Sequence, residues 1–353
     1  MIMPGRDEEL LREAEKLQGV SLSEDAWRRL RQNSAAMLAL GFLVLLGLLA
    51  FFTPFLPFQG PVDIDTDRAF QAPSLFVSKA IDPDKLEAQF GKQGWLNSQM
   101  LYGRLAVFGT WSIPSIAGTD ELGRDQLSRI FWGARVSITV GIMATLVSLL
   151  IGVPYGAISG YVGGWVDEQM MRFIDVLYSV PFIFIVIFIM TVLDSPGIKG
   201  PLEAWGINRI TVFFLLVGAI YWLTMARVVR GQVISLKNEL YVDAAKTIGA
   251  SQPRIIAFHL IPNLMSVVIV YLTLTIPSVM LFEAFLSFIG LGVRAPEVSW
   301  GLLAQAGFEV ITPVRVYWWL ILFPGLALAS TLYALNFLGD GLRDALDPKL
   351  KNR

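Results

Sequence analysis

Six long apolar runs alternate with polar segments along the chain. They cover residues 34–58, 136–161, 173–193, 210–226, 264–282 and 316–338, and the first of them contains no charged residue. Each run is close to the roughly 20 residues that an α-helix needs to cross about 30 Å of hydrocarbon. The pattern therefore predicts an all-α integral membrane protein with six transmembrane helices.

Basic residues beside the predicted spans indicate their orientation, because Lys and Arg are enriched in cytoplasmic loops. They concentrate before the first span, between the fourth and fifth spans, and after the sixth. These residues are Arg28, Arg29 and Arg31; Arg227, Arg230, Lys237, Lys246 and Arg254; and Arg343, Lys349, Lys351 and Arg353. With six spans, all three segments fall on one side of the membrane, which we expect to be the cytoplasmic side.

This topology divides the chain into a few parts and places both termini in the cytoplasm. The parts are a cytoplasmic N-terminal segment (1–33), a first transmembrane helix (34–58), an extracytoplasmic region (59–134), a five-helix transmembrane core (135–339) that includes a cytoplasmic segment (227–263), and a cytoplasmic tail (340–353). We expect the extracytoplasmic region to be a small subdomain or an ordered loop.

The segment before the first span predicts a short helix at the membrane surface. Ser21 and Glu24 fit a capping box at its start. Trp27 and Leu30 lie three residues apart, on one face, with arginines beside them. Such a helix can lie in the membrane interface, or it can be a solvated helix that only supplies orienting charge.

Composition agrees with a membrane protein and excludes several kinds of site. Hydrophobic residues make up 54% of the chain and charged residues 16%, whereas ordinary soluble domains carry about 25% charged residues. The net charge of -1 gives no signal for nucleic-acid binding. The chain has no cysteine and one histidine, which excludes thiol chemistry, disulfides and a histidine-rich metal site.

Ionisable residues are scarce within the predicted spans. Asp175 lies near the start of the third span and Glu283 near the end of the fifth. Proton- or ion-coupled carriers usually need acidic or histidine groups at membrane depth, although backbone carbonyls can also bind Na⁺. The spans also lack the residue sets of an intramembrane hydrolase. The chain has no phosphate-binding loop of the GxxxxGK[ST] type, so any nucleotide must bind another polypeptide.

Several polar residues have both a functional and a structural interpretation. Glu283 can line a pathway near its outer mouth, bind an amino group of a substrate, or pair with a neighbouring span. For Asp120, Arg124 and Asp125 we favour local ion pairs that fix the outer region over contact with a substrate. For His259 we favour an imidazole hydrogen-bonded to backbone over a metal ligand or a pH switch.

Glycines and prolines within the spans indicate packing and bending. Gly152, Gly156, Gly160 and Gly164 recur every four residues and form one small-residue stripe on a helix. Such a stripe lets a second helix approach closely. Proline frees a backbone carbonyl and bends a helix, and Pro181 lies inside the third predicted span.

The polar stretch YVDAAKTIGASQPRIIAFHLIPN, residues 241–263, lies between the fourth and fifth spans. We predict one helix from 227 to 248, a turn at Gly249, and a short second helix capped by Ser251 with Pro253 in its first turn. Pro262 either ends that helix or marks the entry to the fifth span. The pair of helices can fill a groove on a cytoplasmic partner, or it can be a connector that packs only on its own chain.

This stretch resembles the EAA loop of permease subunits of ATP-binding-cassette (ABC) importers, whose pattern is EAA, three residues, Gly, nine residues, Ile, one residue and Leu-Pro. The matching residues here are Asp243, Ala244 and Ala245, then Gly249, then Ile261 and Pro262. Asp243 replaces glutamate, Ile261 replaces leucine, and His259 stands at the isoleucine position. Residues 118–138, 281–301 and 339–349 resemble the oligopeptide and dipeptide permease family, and its C-type subunits in particular.

The resemblance implies a type I ABC importer permease with a cytoplasmic coupling helix that docks into a cleft of an ATPase subunit. It assigns the docking to Asp243, Ala244, Ala245, Gly249 and Ala250; alternatively, Asp243 has only a helix-surface role. ATP and Mg²⁺ would bind to the ATPase partners. No catalytic, cofactor-binding or metal-binding residue is then expected on this chain.

The resemblance also implies the partners and the location. We expect a multi-pass protein of the inner membrane that pairs with a homologous permease as a heterodimer. Two ABC ATPase subunits would dock below, and an extracytoplasmic binding protein would deliver an oligopeptide or dipeptide above. The alternatives are an importer of the same class for metal chelates or oligosaccharides, a partner-independent carrier, and a membrane scaffold.

Overall fold

The computed structural model describes residues 22–90, 95–193, 195–205 and 209–346. Its α-helices in these ranges are α1 (Leu22–Gln32), α2 (Ser34–Phe51), α3 (Pro83–Phe90), α4 (Trp95–Phe108), α5 (Gln126–Val162), α6 (Gly164–Ser179), α7 (Phe182–Leu193), α8 (Pro196–Ala204), α9 (Arg209–Leu236), α10 (Leu240–Thr247), α11 (Gln252–Ile255), α12 (Ile261–Phe288), α13 (Trp300–Glu309) and α14 (Trp319–Leu346). Ser21 of the predicted capping box and the basic residues at 349, 351 and 353 lie outside the described ranges.

Long apolar helices form the body of the molecule. Within the described ranges, α2, α5, α9, α14 and the continuous run of α11 and α12 are each long and apolar enough to cross a membrane. Helices α6 and α7 pass the same test together but meet at an angle of 74°. Counting this bent pair as one span gives six, which agrees with the predicted all-α fold class.

The third span differs from the straight helix predicted over 173–193. Its helix starts earlier, at Gly164, and stops at Ser179, and α7 follows with 12 residues. Proline disfavours the helical conformation in the residue before it, and Val180 is indeed extended (φ -88°, ψ 119°). Helix α7 is about 18 Å long, so it cannot cross the hydrocarbon without α6.

The first span is shorter than the predicted 34–58, because α2 ends at Phe51. The following Pro54 disfavours the helical conformation in the residue before it.

Helices α5, α9 and α12 extend beyond their apolar runs at both ends. Helix α9 has 28 residues and continues to Leu236, ten residues past the predicted end at 226. Helix α5 begins at Gln126, inside the region predicted to be extracytoplasmic. Its start is fixed by Asp125, whose carboxylate accepts a hydrogen bond of 2.7 Å from the backbone amide of Ser128. Polar and charged residues can therefore continue a helix beyond the length that its apolar run predicts.

Helices α5 and α9 pack with their backbones in close contact. A methyl group at Gly156 would overlap the carbonyl oxygen of Ala226, and one at Gly152 or Gly160 would lie 2.7–2.8 Å from atoms of α9. These three positions confirm the packing interpretation of the glycine stripe. Gly164 does not take part, because α5 ends at Val162 and an added methyl there would meet open space.

The region between α2 and α5 is fixed to the spans by buried charges. Asp120 is buried and pairs with Arg124 at 2.6 Å and with the buried Arg129 of α5. Arg104 of α4 is also buried and donates hydrogen bonds of 3.0 Å to the carbonyl oxygens of Leu56 and Phe58. The ion pair predicted for Asp120 and Arg124 is therefore present, and the pair of Asp120 with Arg129 holds the region to the start of α5. Asp125, for which an ion pair was also predicted, instead caps α5 through the backbone amide of Ser128.

We predict that Gly156→Ala destabilises the protein by about 1–3 kcal/mol, because the added methyl has to push two packed backbones apart. Thermal unfolding of the purified protein in detergent measures the change. Gly231→Ala is the matched control, since it adds the same methyl to α9 where nothing lies within 4 Å. Equal melting temperatures for the two variants would contradict the close contact.

We predict that Asp120→Asn destabilises the region between α2 and α5, because it leaves Arg129 buried without its countercharge. Removing one partner of a buried pair costs about 3–5 kcal/mol. Limited proteolysis should show faster cleavage within 59–125. Asp84→Asn, at an exposed position in α3, should leave the cleavage rate unchanged, and identical digestion of both variants would contradict the prediction.

Candidate docking site on the predicted cytoplasmic side

The segment between α9 and α12 contains a break that the sequence did not indicate. We predicted one helix over 227–248, but α9 ends at Leu236 and α10 begins at Leu240. Glu239 is extended (φ -75°, ψ 148°), which separates the two helices. Lys237 donates a hydrogen bond of 2.9 Å to the carbonyl oxygen of Gly160. The break is thus tied to the end of α5.

Helix α10 ends in the turn predicted at Gly249. Gly249 has a φ of +83°, in the left-handed region that a side chain disfavours. The amide of Gly249 donates a hydrogen bond of 2.9 Å to the carbonyl oxygen of Lys246. The amide of Ala250 donates one of 3.0 Å to the carbonyl oxygen of Ala245. These are the two hydrogen bonds of a Schellman motif. Gly249 therefore fixes the direction in which the chain leaves α10.

The two sides of α10 face different surroundings. Val242 and Ala245 are buried in a cluster built from three spans. The other members of this cluster include Val153 and Ala157 of α5, Val229 and Val233 of α9, and Leu264 and Val268 of α12. Because one face of α10 is part of the transmembrane core, a force applied to α10 acts on α5, α9 and α12 together.

The opposite side of α10 presents an apolar stripe. Leu240 and Ile248 are each 85% exposed, and Ala244 lies between them with its surface also exposed. Residues four apart lie on the same face of a helix, so these three form one continuous row. We call Leu240, Ala244 and Ile248 the α10 stripe. Exposed apolar rows of this kind are typical of a helix that fills a groove on a partner.

The five residues predicted to dock differ in their exposure. Asp243, Ala244 and Gly249 are exposed, whereas Ala245 is buried and Ala250 packs partly against the same buried cluster. The exposed Asp243 pairs with Lys246 at 2.9 Å. Sequence reasoning missed Leu240 and Ile248, although their spacing of four from Ala244 was available as a signal.

The short helix α11 continues into the fifth span. Ser251 occupies its N-cap position with an extended backbone but makes no side-chain capping bond, and Pro253 lies in the first turn, as predicted. A π-helical turn over Ile256–Leu260 then joins α11 to α12. Pro262 therefore marks the entry to the span and does not end the helix. At His259, the carbonyl oxygen accepts a hydrogen bond of 2.6 Å from the side chain of Asn263.

Glu283 lies in α12 and is fully buried within this chain. Its carboxylate accepts hydrogen bonds from Ser287, at 2.7 Å, and from Ser137 of α5, at 3.2 Å. Ser137 in turn accepts a bond from the backbone amide of Trp300 at the start of α13. This geometry is that of the neighbouring-span interpretation, and a pathway role for Glu283 stays a prediction. In the described ranges, no three His, Cys, Asp or Glu side chains come together as a metal site.

Comparisons with known proteins agree with the resemblance. Residues 152–352 match the family described as "Binding-protein-dependent transport system inner membrane component", and residues 21–73 match "N-terminal TM domain of oligopeptide transport permease C". A dipeptide transport system permease protein of Bacillus subtilis (strain 168) is 40% identical over 347 residues, which are 98% of this chain and 92% of the relative.

Two further relatives are oligopeptide transport system permease proteins. The one from Haemophilus influenzae is 40% identical over 95% of this chain and 91% of its own length. The one from Escherichia coli (strain K12) is 39% identical over 99% of each chain. The family match covers more than half of the chain, and the relatives cover nearly all of it. The chain therefore belongs to the family of binding-protein-dependent transport system inner membrane components, with the multi-pass, all-α fold of a type I ABC importer permease.

Proposed function

We propose that this chain is a permease subunit of an ATP-driven importer of oligopeptides or dipeptides. The relatives named above are dipeptide and oligopeptide transport permeases and align over nearly the whole chain. A glutathione transport system permease protein of Pectobacterium atrosepticum is 33% identical over 92% of the chain. Glutathione is itself a small peptide-like molecule, which supports a peptide substrate over a metal chelate or an oligosaccharide.

The observation that carries this proposal is the division of α10 into two faces. The α10 stripe is free to enter a cleft on an ABC ATPase, while Val242 and Ala245 belong to the core of the spans. Docking with Asp243, Ala244 and Gly249 at the contact fits the exposure of these residues. ATP and Mg²⁺ bind to the ATPase, which hydrolyses the ATP, and this chain contributes no catalytic group.

The remaining partners follow from the same proposal. A homologous permease pairs with this chain and encloses the pathway, two ATPase subunits dock on the cytoplasmic side, and an extracytoplasmic binding protein delivers the substrate. The protein lies in the inner membrane with both termini in the cytoplasm, an orientation that the clustered basic residues support. Nucleotide binding and hydrolysis on the ATPases shift the pair of permeases between two access states.

We predict that Leu240→Asp and Ile248→Asp each impair docking of the ATPase without loss of membrane insertion. A central apolar contact at an interface contributes about 2 kcal/mol, and this corresponds to about 30-fold weaker association. Co-purification of the ATPase and ATP-driven uptake of a labelled dipeptide into proteoliposomes measure the effect.

Ser235→Asp is the matched control, because it adds the same charge at an exposed position of α9 outside the α10 stripe. Unchanged co-purification and uptake in the two stripe variants would remove the docking assignment. Uptake by the chain alone, without ATPase subunits, would instead favour the partner-independent carrier.

A further inference from the structure

A pair of opposite charges lies exposed where α6 meets α9. The carboxylate of Asp175 accepts a hydrogen bond of 2.5 Å from the guanidinium of Arg227, while 66% of the Asp175 side chain and 43% of the Arg227 side chain remain exposed. An ion pair this exposed contributes little to stability. The pair lies at the predicted cytoplasmic boundary of the membrane, because Arg227 directly follows the fourth predicted span, which ends at residue 226.

A different ion pair holds α6 against α9. Asp167 and Arg230 form a bidentate ion pair at 2.5 and 2.6 Å, and only 15% of the Asp167 side chain is exposed. Asp167 also accepts a hydrogen bond from Ser159 of α5. These contacts lock three helices together, so Asp175 and Arg227 are not needed for that purpose.

Two further polar side chains surround the exposed pair. The guanidinium of Arg227 lies 4.4 Å from the centre of the Tyr178 ring, a cation–π contact. The hydroxyl of Tyr178 is hydrogen-bonded to the hydroxyl of Thr224. We call Asp175, Tyr178, Thr224 and Arg227 the α6–α9 polar cluster. It offers an anion, a cation and two hydroxyls within one patch.

The cluster lies at the predicted cytoplasmic boundary of the membrane. Arg227 lies about five turns, or about 27 Å, after the first residue of α9, which is near the predicted cytoplasmic end of a hydrocarbon layer of about 30 Å. Long basic side chains near the end of a span extend towards the aqueous interface, so the cluster is within reach of water. The α5 contact of α9 runs along Trp222, Met225 and Ala226, so it does not cover the cluster.

The bend of the third span keeps the cluster open. Helix α6 ends at Ser179, and the 74° turn at Val180 and Pro181 directs α7 away from the last turn of α6. Asp175 and Tyr178 lie in that last part of α6. Phe173 and Val176, both more than half exposed, lie beside them. On α6 itself, Asp175 follows the exposed Glu168 and Arg172 at helical spacing. The cluster is thus the end of a polar row of α6, where that row meets α9.

We propose that the α6–α9 polar cluster lines the translocation pathway at its cytoplasmic end, where Asp175 and Arg227 contact the charged ends of a passing peptide. This inference rests on the proposed function as a peptide importer. A peptide with free termini carries an ammonium and a carboxylate group, and the two side chains supply the opposite charges. Because their mutual ion pair is exposed and weak, each can exchange its partner for a substrate group. The hydroxyls of Tyr178 and Thr224 can bond to peptide amides.

Transport by the complete complex, with partner permease, ATPases and binding protein in proteoliposomes, tests the charge assignment. We expect Asp175→Asn to lower the maximal uptake rate of a tripeptide with free termini about tenfold, the loss of one charge-assisted hydrogen bond. The same variant should have little effect on an N-acetylated tripeptide. Arg227→Gln should lower the uptake of the tripeptide with free termini in the same way. It should have little effect on a tripeptide whose C-terminus is amidated.

Glu168→Gln is the matched control, because Glu168 forms an exposed ion pair with Arg172 on the same helix. It should leave the uptake of all three peptides unchanged. If both cluster variants reduce the uptake of free and blocked peptides equally, or not at all, the inference is wrong. If the wild-type complex imports no peptide, the proposed function itself fails, which distinguishes the two failures.

Thiol labelling provides a second measurement that does not depend on transport rates. The chain has no cysteine, so Thr224→Cys introduces a single thiol on this subunit. We expect a water-soluble maleimide to label it in one nucleotide state and excess tripeptide to slow the labelling. Labelling only by a lipid-soluble maleimide, independent of nucleotide and peptide, would place the cluster against lipid and overturn the inference.

Discussion

The backbones of α5 and α9 touch along Gly152, Gly156 and Gly160, and much of the remaining structure is arranged around this contact. Apolar side chains gain little from each other inside lipid, so close van der Waals packing is what holds two spans together there. The three glycines provide that closeness. They determine how closely α9 packs against α5. Helix α10 follows α9 after a short break, and Lys237 in this break is hydrogen-bonded to the end of α5.

The same contact makes the candidate docking segment part of the spans. Val242 and Ala245 of α10 lie in one cluster with residues of α5, α9 and α12, and protein interiors of this kind are close-packed. Displacing α10 therefore has to move these spans or disrupt the cluster. Asp167 and Arg230 extend the connection to α6, so that a movement beginning at α10 can reach the bent third span.

The region between α2 and α5 is held to the spans by polar contacts, and not by close packing of helix backbones. Its own apolar cluster is small, with Ile81, Leu86 and Leu101 as buried members. Buried charges supply the remaining order, because Asp120 joins the region to Arg129 of α5 and Arg104 bonds to backbone carbonyls after α2. Such contacts require particular partners and leave less freedom for repacking than an apolar core does. The region is accordingly anchored to two spans by specific polar contacts.

The sequence by itself determined the fold class, the approximate spans, the turn at Gly249 and the family resemblance. These depend on local properties: the length of an apolar run, the conformational freedom of one glycine, and short motifs. It did not determine the break before α10, the angle at Pro181, or which side of α10 faces outward. Nor did it indicate the contact of Glu283 with Ser137, which joins residues 146 positions apart. Tertiary structure decided these features, because the face that a helix buries depends on the surface it meets, and that surface is built from distant parts of the chain.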